Sequence, residues 1–276
     1  MRRRRSAMPT RRAIAPAIAL MLCACAGLAL PLVTRARDIE GLAAYFAFEE
    51  GDGGAVSDSS GTGHEGELLG DMTWGDGKYG GGLNFGGDEG YVRVPDHPDF
   101  EFTEGLTVAA WIRPTLTPGP GEWQLIAAKG LDAAEFFEIL LNPAGYLWMG
   151  WKLAGGRIVP AQSPPSIVPD EWQHVAVSYQ MDEWWTVYLD GEVLIEYPAE
   201  NQELFPNTDD LLLGVEEPLA LDRFYNGDID EFVLYDRGLT QDEIREVQEG
   251  MASLLPVNPE GMSPTRWAAL RAGYVR

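Results

Sequence analysis

The residues best equipped for chemistry are carboxylates set among glycines and apolar runs. Asp228 and Asp230 stand two apart in GDIDEFVLY, residues 227–235. In a regular strand they share one face, about 7 Å apart. Phe232 would lie on that face too, so it cannot be wholly dry unless the carboxylates are ligated or hydrogen-bonded. Asp58 sits in GDGGAVSDSSGTGHEG, residues 51–66, with six glycines. Loops of this composition, folded tightly around a carboxylate, either wrap a hard cation such as calcium or simply turn. Zinc is not expected, because Cys23 and Cys25 both lie near the N-terminus and His64, His97 and His174 are far apart in sequence. Nucleophilic catalysis has little support either: no Gly-x-Ser-x-Gly occurs, and His174 alternates with apolar residues as a strand histidine does.

Aromatic side chains are the other resource. Trp184 and Trp185 are adjacent, and Trp148 and Trp151 are three apart. In strands each pair splits between the two faces. Trp184 and Trp148 are the candidate ligand-binding rings, either platforms for a pyranose or covers for a sheet edge.

The elements that must hold these groups read as β almost throughout. Residues 43–48, 91–95, 106–114, 125–129, 136–141 and 146–151 alternate or run apolar between turn signals, at intervals near ten residues. That is the rhythm of a sandwich. Residues 172–179 and 184–189 form a hairpin pattern, and Asp190-Gly191 is a two-residue type I′ turn signal leading into residues 192–197. After residues 228–236, Leu239 precedes Thr240, with Glu243 three residues on and Ile244 and Val247 on one helical face. This is a capping box with a hydrophobic staple, opening one short helix.

Charge divides the chain. Eight of the 20 Lys and Arg, and none of the 43 Asp and Glu, lie in residues 1–37, leaving a formal −31 on residues 38–276. That balance disfavours nucleic acid and suits cations or plain solubility. Residues 13–33 carry no charge behind an arginine-rich start, so residues 1–37 read as an export signal or membrane anchor. LCAC at 22–25 also resembles part of a lipobox, with Cys25 as the lipidated residue. Each alternative places the remainder in a secreted, periplasmic or cell-surface location. Membrane contact is then expected only through this leader. The remainder has no cysteine, so its stability rests on its core. Residues 38–250 are expected to form the folded domain and 251–276 a tail.

Taken in order, Asp58 to Gly66, GKYG (77–80) with LNF (83–85), YVRVP (91–95), LTVAAWI (106–112), WQHVA (172–176), VYLDG (187–191) and GDIDEFVLY (227–235) with Leu239-Thr240 and Glu243-Ile244 resemble the laminin-G-like domain of the concanavalin A-like lectin/glucanase superfamily. The resemblance implies an all-β jelly-roll sandwich of two antiparallel sheets with one short C-terminal helix. It also implies a non-catalytic module that binds carbohydrate or an extracellular protein, often with a structural calcium. The first and last strands of this architecture commonly pair, which makes Asp230, Asp58 and Glu49 the implied calcium ligands. His64 stands where the family more often has Asn. Glucanases share the fold, but their Glu-x-Asp-x-x-Glu strand motif is absent. A glycan-cleaving enzyme and a purely structural surface domain are the two rival readings.

Overall fold

The computed structural model describes residues 40–255 except 88, 116–122, 131–135, 155–157, 200 and 216–222. The leader, and the tail beyond residue 255, lie outside the described residues.

In chain order the strands are β1 (Leu42–Phe46), β2 (Ala55–Val56), β3 (Gly66–Leu69), β4 (Met72–Asp76), β5 (Gly81–Gly86), β6 (Tyr91–Val94), β7 (Gly105–Pro114) and β8 (Gln124–Lys129). There follow β9 (Phe137–Leu141), β10 (Leu147–Lys152), β11 (Ile158–Gln162), β12 (Gln173–Gln180), β13 (Trp184–Leu189), β14 (Glu192–Pro198), β15 (Leu211–Leu213) and β16 (Asn226–Tyr235), then helix α1 (Gln241–Gln248). They form two antiparallel sheets. The first runs β14-β13-β12-β7-β16-β5-β4 with β1 also on β16, and the second runs β11-β10-β9-β8-β15-β6-β3-β2. This is the expected jelly-roll sandwich.

One core fills the space between the sheets, drawing Phe46, Ile112, Val177, Ile229 and Phe232 from the first and Val92, Ala127, Leu141, Met149 and Leu213 from the second. The Asp190-Gly191 turn adopts positive φ at both residues, +50° and +74°, as a type I′ turn demands. The outer face of the first sheet has its own apolar layer: Tyr45, Ala109, Ala176 and Val233 meet Leu239, Ile244 and Val247. Helix α1 supplies that layer, and its start is fixed by Thr240. The Thr240 backbone N–H donates to Glu243 Oε2 at 2.8 Å, and the Glu243 N–H donates to Thr240 Oγ1 at 3.4 Å. The buried Leu239 and Ile244 complete the staple.

The last strand departs from regularity where its carboxylates lie. Asn226 to Ile229 pair with β5, and Phe232 to Tyr235 pair with β1 on the same edge. Asp230 and Glu231 fall in the seam between those partners. On the opposite edge the register with β7 slips between Asp230 and Val233, and Glu231 takes φ +52°. The slip reverses the alternation, so Ile229, Phe232 and Leu234 all reach the inter-sheet core. Asp228 and Asp230 therefore do not share a face with Phe232, contrary to the regular-strand expectation. A bulge inserts the extra residue that changes the phase.

Candidate functional site

Glu49 leaves the end of β1 and Asp230 sits in the seam of β16; both close on the turn between β4 and β5. Tyr79 N donates to Asp230 Oδ2 at 2.9 Å, and Gly81 N donates to Glu49 Oε1 at 3.1 Å. Glycine is required for that approach. A Cβ at Gly77 would stand 2.6 Å from Asp230 Oδ2, and one at Gly80 would stand 2.0 Å from Glu49 Oε1.

Asp230 is fully buried. Burial pushes its carboxyl well above the ordinary 3.8; the neighbouring Glu231 charge adds to this, the Tyr79 and Glu231 amides oppose it, and Glu49 adds a smaller push. No lysine or arginine pairs with Asp230 among the described residues. Lys78 instead places Nζ 4.0 Å above the Trp111 ring. Glu231, also buried, turns to the helix side, where it accepts from the Tyr45 hydroxyl and from Met251 N at 2.8 Å. The arrangement therefore concentrates negative charge around a buried carboxylate. Hard oxygen donors in that setting match calcium chemistry, and a proton is the other way to relieve the charge.

Asp58 is held by its own set of donors. Its Oδ1 accepts from Tyr45 N at 3.1 Å and Ser60 N at 2.8 Å. Its Oδ2 accepts from Thr62 Oγ1 at 2.6 Å and from Gly63 N and His64 N at 3.0 Å each. Burial alone would raise this carboxyl, but the bonds from Ser60, Thr62 and His64 outweigh it and hold the group below its ordinary value. Five donors saturate both oxygens, so Asp58 folds the glycine-rich loop back onto β1. The structure thus brings together Glu49 and Asp230 of the three expected ligands and places Asp58 elsewhere. Asp228 is engaged too: Arg113 Nε donates to it at 2.8 Å and Asn84 Nδ2 at 2.9 Å.

The tryptophans divide as strand alternation requires. Trp185 and Trp151 are buried in the core with ring centroids 4.8 Å apart, while Trp184 and Trp148 are half-buried on outer faces. Trp184 lies over the Gly238 turn, where a Cβ would meet its ring edge at 3.1 Å. Trp148 is on the second sheet, level with Leu140 and Gln162. With Trp123 it packs over Leu125, Ala128 and Leu140. Helix α1 closes one outer face; two partly buried indoles lie on the other.

Two of the three histidines depart from expectation. His64 and His97, far apart in sequence, have ring centroids 4.5 Å apart. His174 is isolated and fully buried against Trp111.

A sequence profile of the Laminin_G_3 family, in the concanavalin A-like lectin/glucanases superfamily, matches residues 85–245, more than half of the chain. The chain belongs to that family. No curated protein matches it by sequence. Among solved structures, the binding domain of Paraclostridial Mosquitocidal Protein 1 superposes with a TM-score of 0.62 at 17% identity, over 76% of this chain and 52% of that one. Domain 4 of AbnA, a GH43 extracellular arabinanase from Geobacillus stearothermophilus solved with arabinotriose, gives a TM-score of 0.58 at 21% identity, over 75% and 98%. The botulinum neurotoxin DC binding domain, solved with rat synaptotagmin II, gives 0.60 at 13%, over 79% and 52%. These likenesses are of fold, and the chain spans about half the length of the toxin binding domains.

Proposed function

We propose that this laminin-G-like chain is an exported, non-catalytic module that binds carbohydrate or an extracellular protein and is stabilised by one calcium ion. The observation that carries the binding reading is the Trp148 face. Trp148 and Trp123 lie partly exposed over a buried apolar cluster on the outer side of the second sheet. An indole so placed offers a flat apolar surface to a sugar ring or an aromatic partner. Domain 4 of AbnA, which shares the fold, was solved with a trisaccharide, and this favours carbohydrate as the first class to test. The carboxylates lend themselves less to hydrolysis. Asp228 is held by Arg113 and Asn84, and Asp230 is buried beneath a backbone turn.

Calcium is proposed at Glu49 and Asp230, where an ion would supply the positive charge that the buried carboxylate lacks. Export rests on the leader, residues 1–37. Glycan-array binding together with an assay for reducing-sugar release tests the function. Binding without turnover is the expected result. Turnover would overturn the non-catalytic reading, and silence in both would favour a purely structural surface domain.

A further inference from the structure

We infer that His64, His97 and Asp99 form a binding site for a zinc-class divalent ion, separate from the carboxylates at Glu49 and Asp230. Strand register assembles it. β3 pairs with β6 through Glu67–Arg93 and Leu68–Val92, so His64, three residues before Glu67, comes level with the segment just after β6. That segment turns at once into a short 3-10 helix, Pro98–Phe100, with His97 as its cap. Residues more than thirty positions apart therefore meet at one end of the second sheet.

The distances are those of a coordination shell. Asp99 Oδ2 lies 3.0 Å from His64 Nε2 and 3.3 Å from His97 Nδ1, and one ligand atom from each residue lies within 4.8 Å of the others. Zinc bonds of about 2.0–2.1 Å in a tetrahedron put neighbouring ligand atoms about 3.3 Å apart, so the two separations from Asp99 Oδ2 already stand near that spacing. One donor is rigidly held. The His64 side chain is 6% exposed, its ring packs 4.7 Å from the buried Phe100 ring, and its backbone N–H is bound by Asp58. His97 and Asp99 are about half exposed, at 48% and 52%, which leaves the fourth position open to water. Two imidazoles with one carboxylate favour zinc, copper or nickel over calcium. Binding costs the 3.2 Å bond from Asp99 N to His97 Nδ1, and an amide at this exposed position can rehydrate.

The test uses the full chain without a polyhistidine tag and with Cys23→Ser and Cys25→Ser, so that neither supplies ligands. Zinc chloride is titrated by calorimetry, thermal melting is recorded with and without zinc, and the visible spectrum is recorded with cobalt. All measurements are made in excess calcium to keep the hard-oxygen site out of the readout. One equivalent of zinc, a raised melting temperature and a tetrahedral cobalt spectrum are expected. His97→Ala and Asp99→Ala should each lower zinc affinity by more than about tenfold, since even indirect supports of a metal site cost that much. Both residues are half-exposed, so these variants should still fold, and comparing each variant's own melts with and without zinc allows for the lost His64–Asp99 and His97 cap bonds and separates ligand loss from misfolding. No zinc response in the parent, or undiminished affinity in His97→Ala, would overturn the assignment and leave the cluster a hydrogen-bonded loop clasp.

Discussion

Glu49 and Asp230 grip the same turn from opposite ends of the domain, Glu49 through Gly81 N at 3.1 Å and Asp230 through Tyr79 N at 2.9 Å. The juxtaposition follows from how β16 shares one edge between β5 and β1. The seam leaves Asp230 unpaired by either strand, and the β4–β5 turn fills the gap above it. A buried carboxylate can be kept there only by a cation, a proton or amide donors. The two amides that it has do not bring it back to its ordinary value.

Calcium removal should therefore destabilise the protein. With free calcium at about 100 times Kd, ligation contributes roughly 2.7 kcal/mol, and chelation should lower Tm by roughly 5–10 °C for a domain of this size. Asp230→Asn, which keeps the Tyr79 bond, should melt near the chelated parent and ignore EDTA. Parent melting that is indifferent to EDTA would exclude a tightly held ion.

The same group sets a pH dependence in the calcium-free protein. Asp230 has a folded value raised above 3.8, so its favourable contribution is full below about pH 4 and is lost as pH rises through the folded value. Calcium should abolish that loss, and so should Asp230→Asn. Denaturant melts in EDTA across pH 4–8, parent against variant, measure the difference directly.

His174 titrates in the opposite direction. Burial lowers its pKa from 6.5 to about 3, and neither ring nitrogen has a hydrogen-bond partner among the described residues. A depressed folded value means stability that is full above pH 6.5 and is lost as pH falls towards 3. His174→Leu should remove that slope. At neutral pH it should stabilise the domain by roughly 1–3 kcal/mol, because it replaces an unsatisfied polar ring with an apolar group. A variant less stable than the parent at pH 7 would show that the imidazole packs better than leucine can.

Periodicity and local chemistry exposed much of this fold. The capped helix, the Asp190-Gly191 hairpin and the long strands each depend on residues within a few positions of one another. What escaped was set by pairing between distant strands. The bulge at Asp230–Val233 falls where one edge of β16 passes from β5 to β1, and it reversed the face expected for Phe232. The meeting of His64 with His97 is fixed by the β3–β6 register, which neither segment announces. Asp58 was ambiguous for a different reason: a carboxylate in a glycine loop reads alike whether it binds an ion or gathers amides.

Asp58→Ala separates those two roles. It removes five accepted hydrogen bonds, and the cost should be on the order of 2–4 kcal/mol, less than a simple sum because the loop can take up water. The calcium response should persist in this variant, since Glu49 and Asp230 remain. Its disappearance would restore Asp58 as a ligand.

Trp148 and Trp184 should differ in any binding assay. Trp148 packs, partly exposed, over the buried Leu125, Ala128 and Leu140 on the outer side of the second sheet, whereas the Trp184 ring edge lies against the Gly238 turn and contributes to closing the sheet. For a glycan identified on an array, Trp148→Ala should weaken binding by about thirtyfold or more, the loss of a central aromatic contact worth about 2 kcal/mol. Trp184→Ala should leave affinity within about twofold while lowering Tm, because what it removes is packing. Calorimetry and melting on both variants separate the two effects. The reverse pattern, with binding lost only in Trp184→Ala, would move the ligand to the first sheet beside the start of α1.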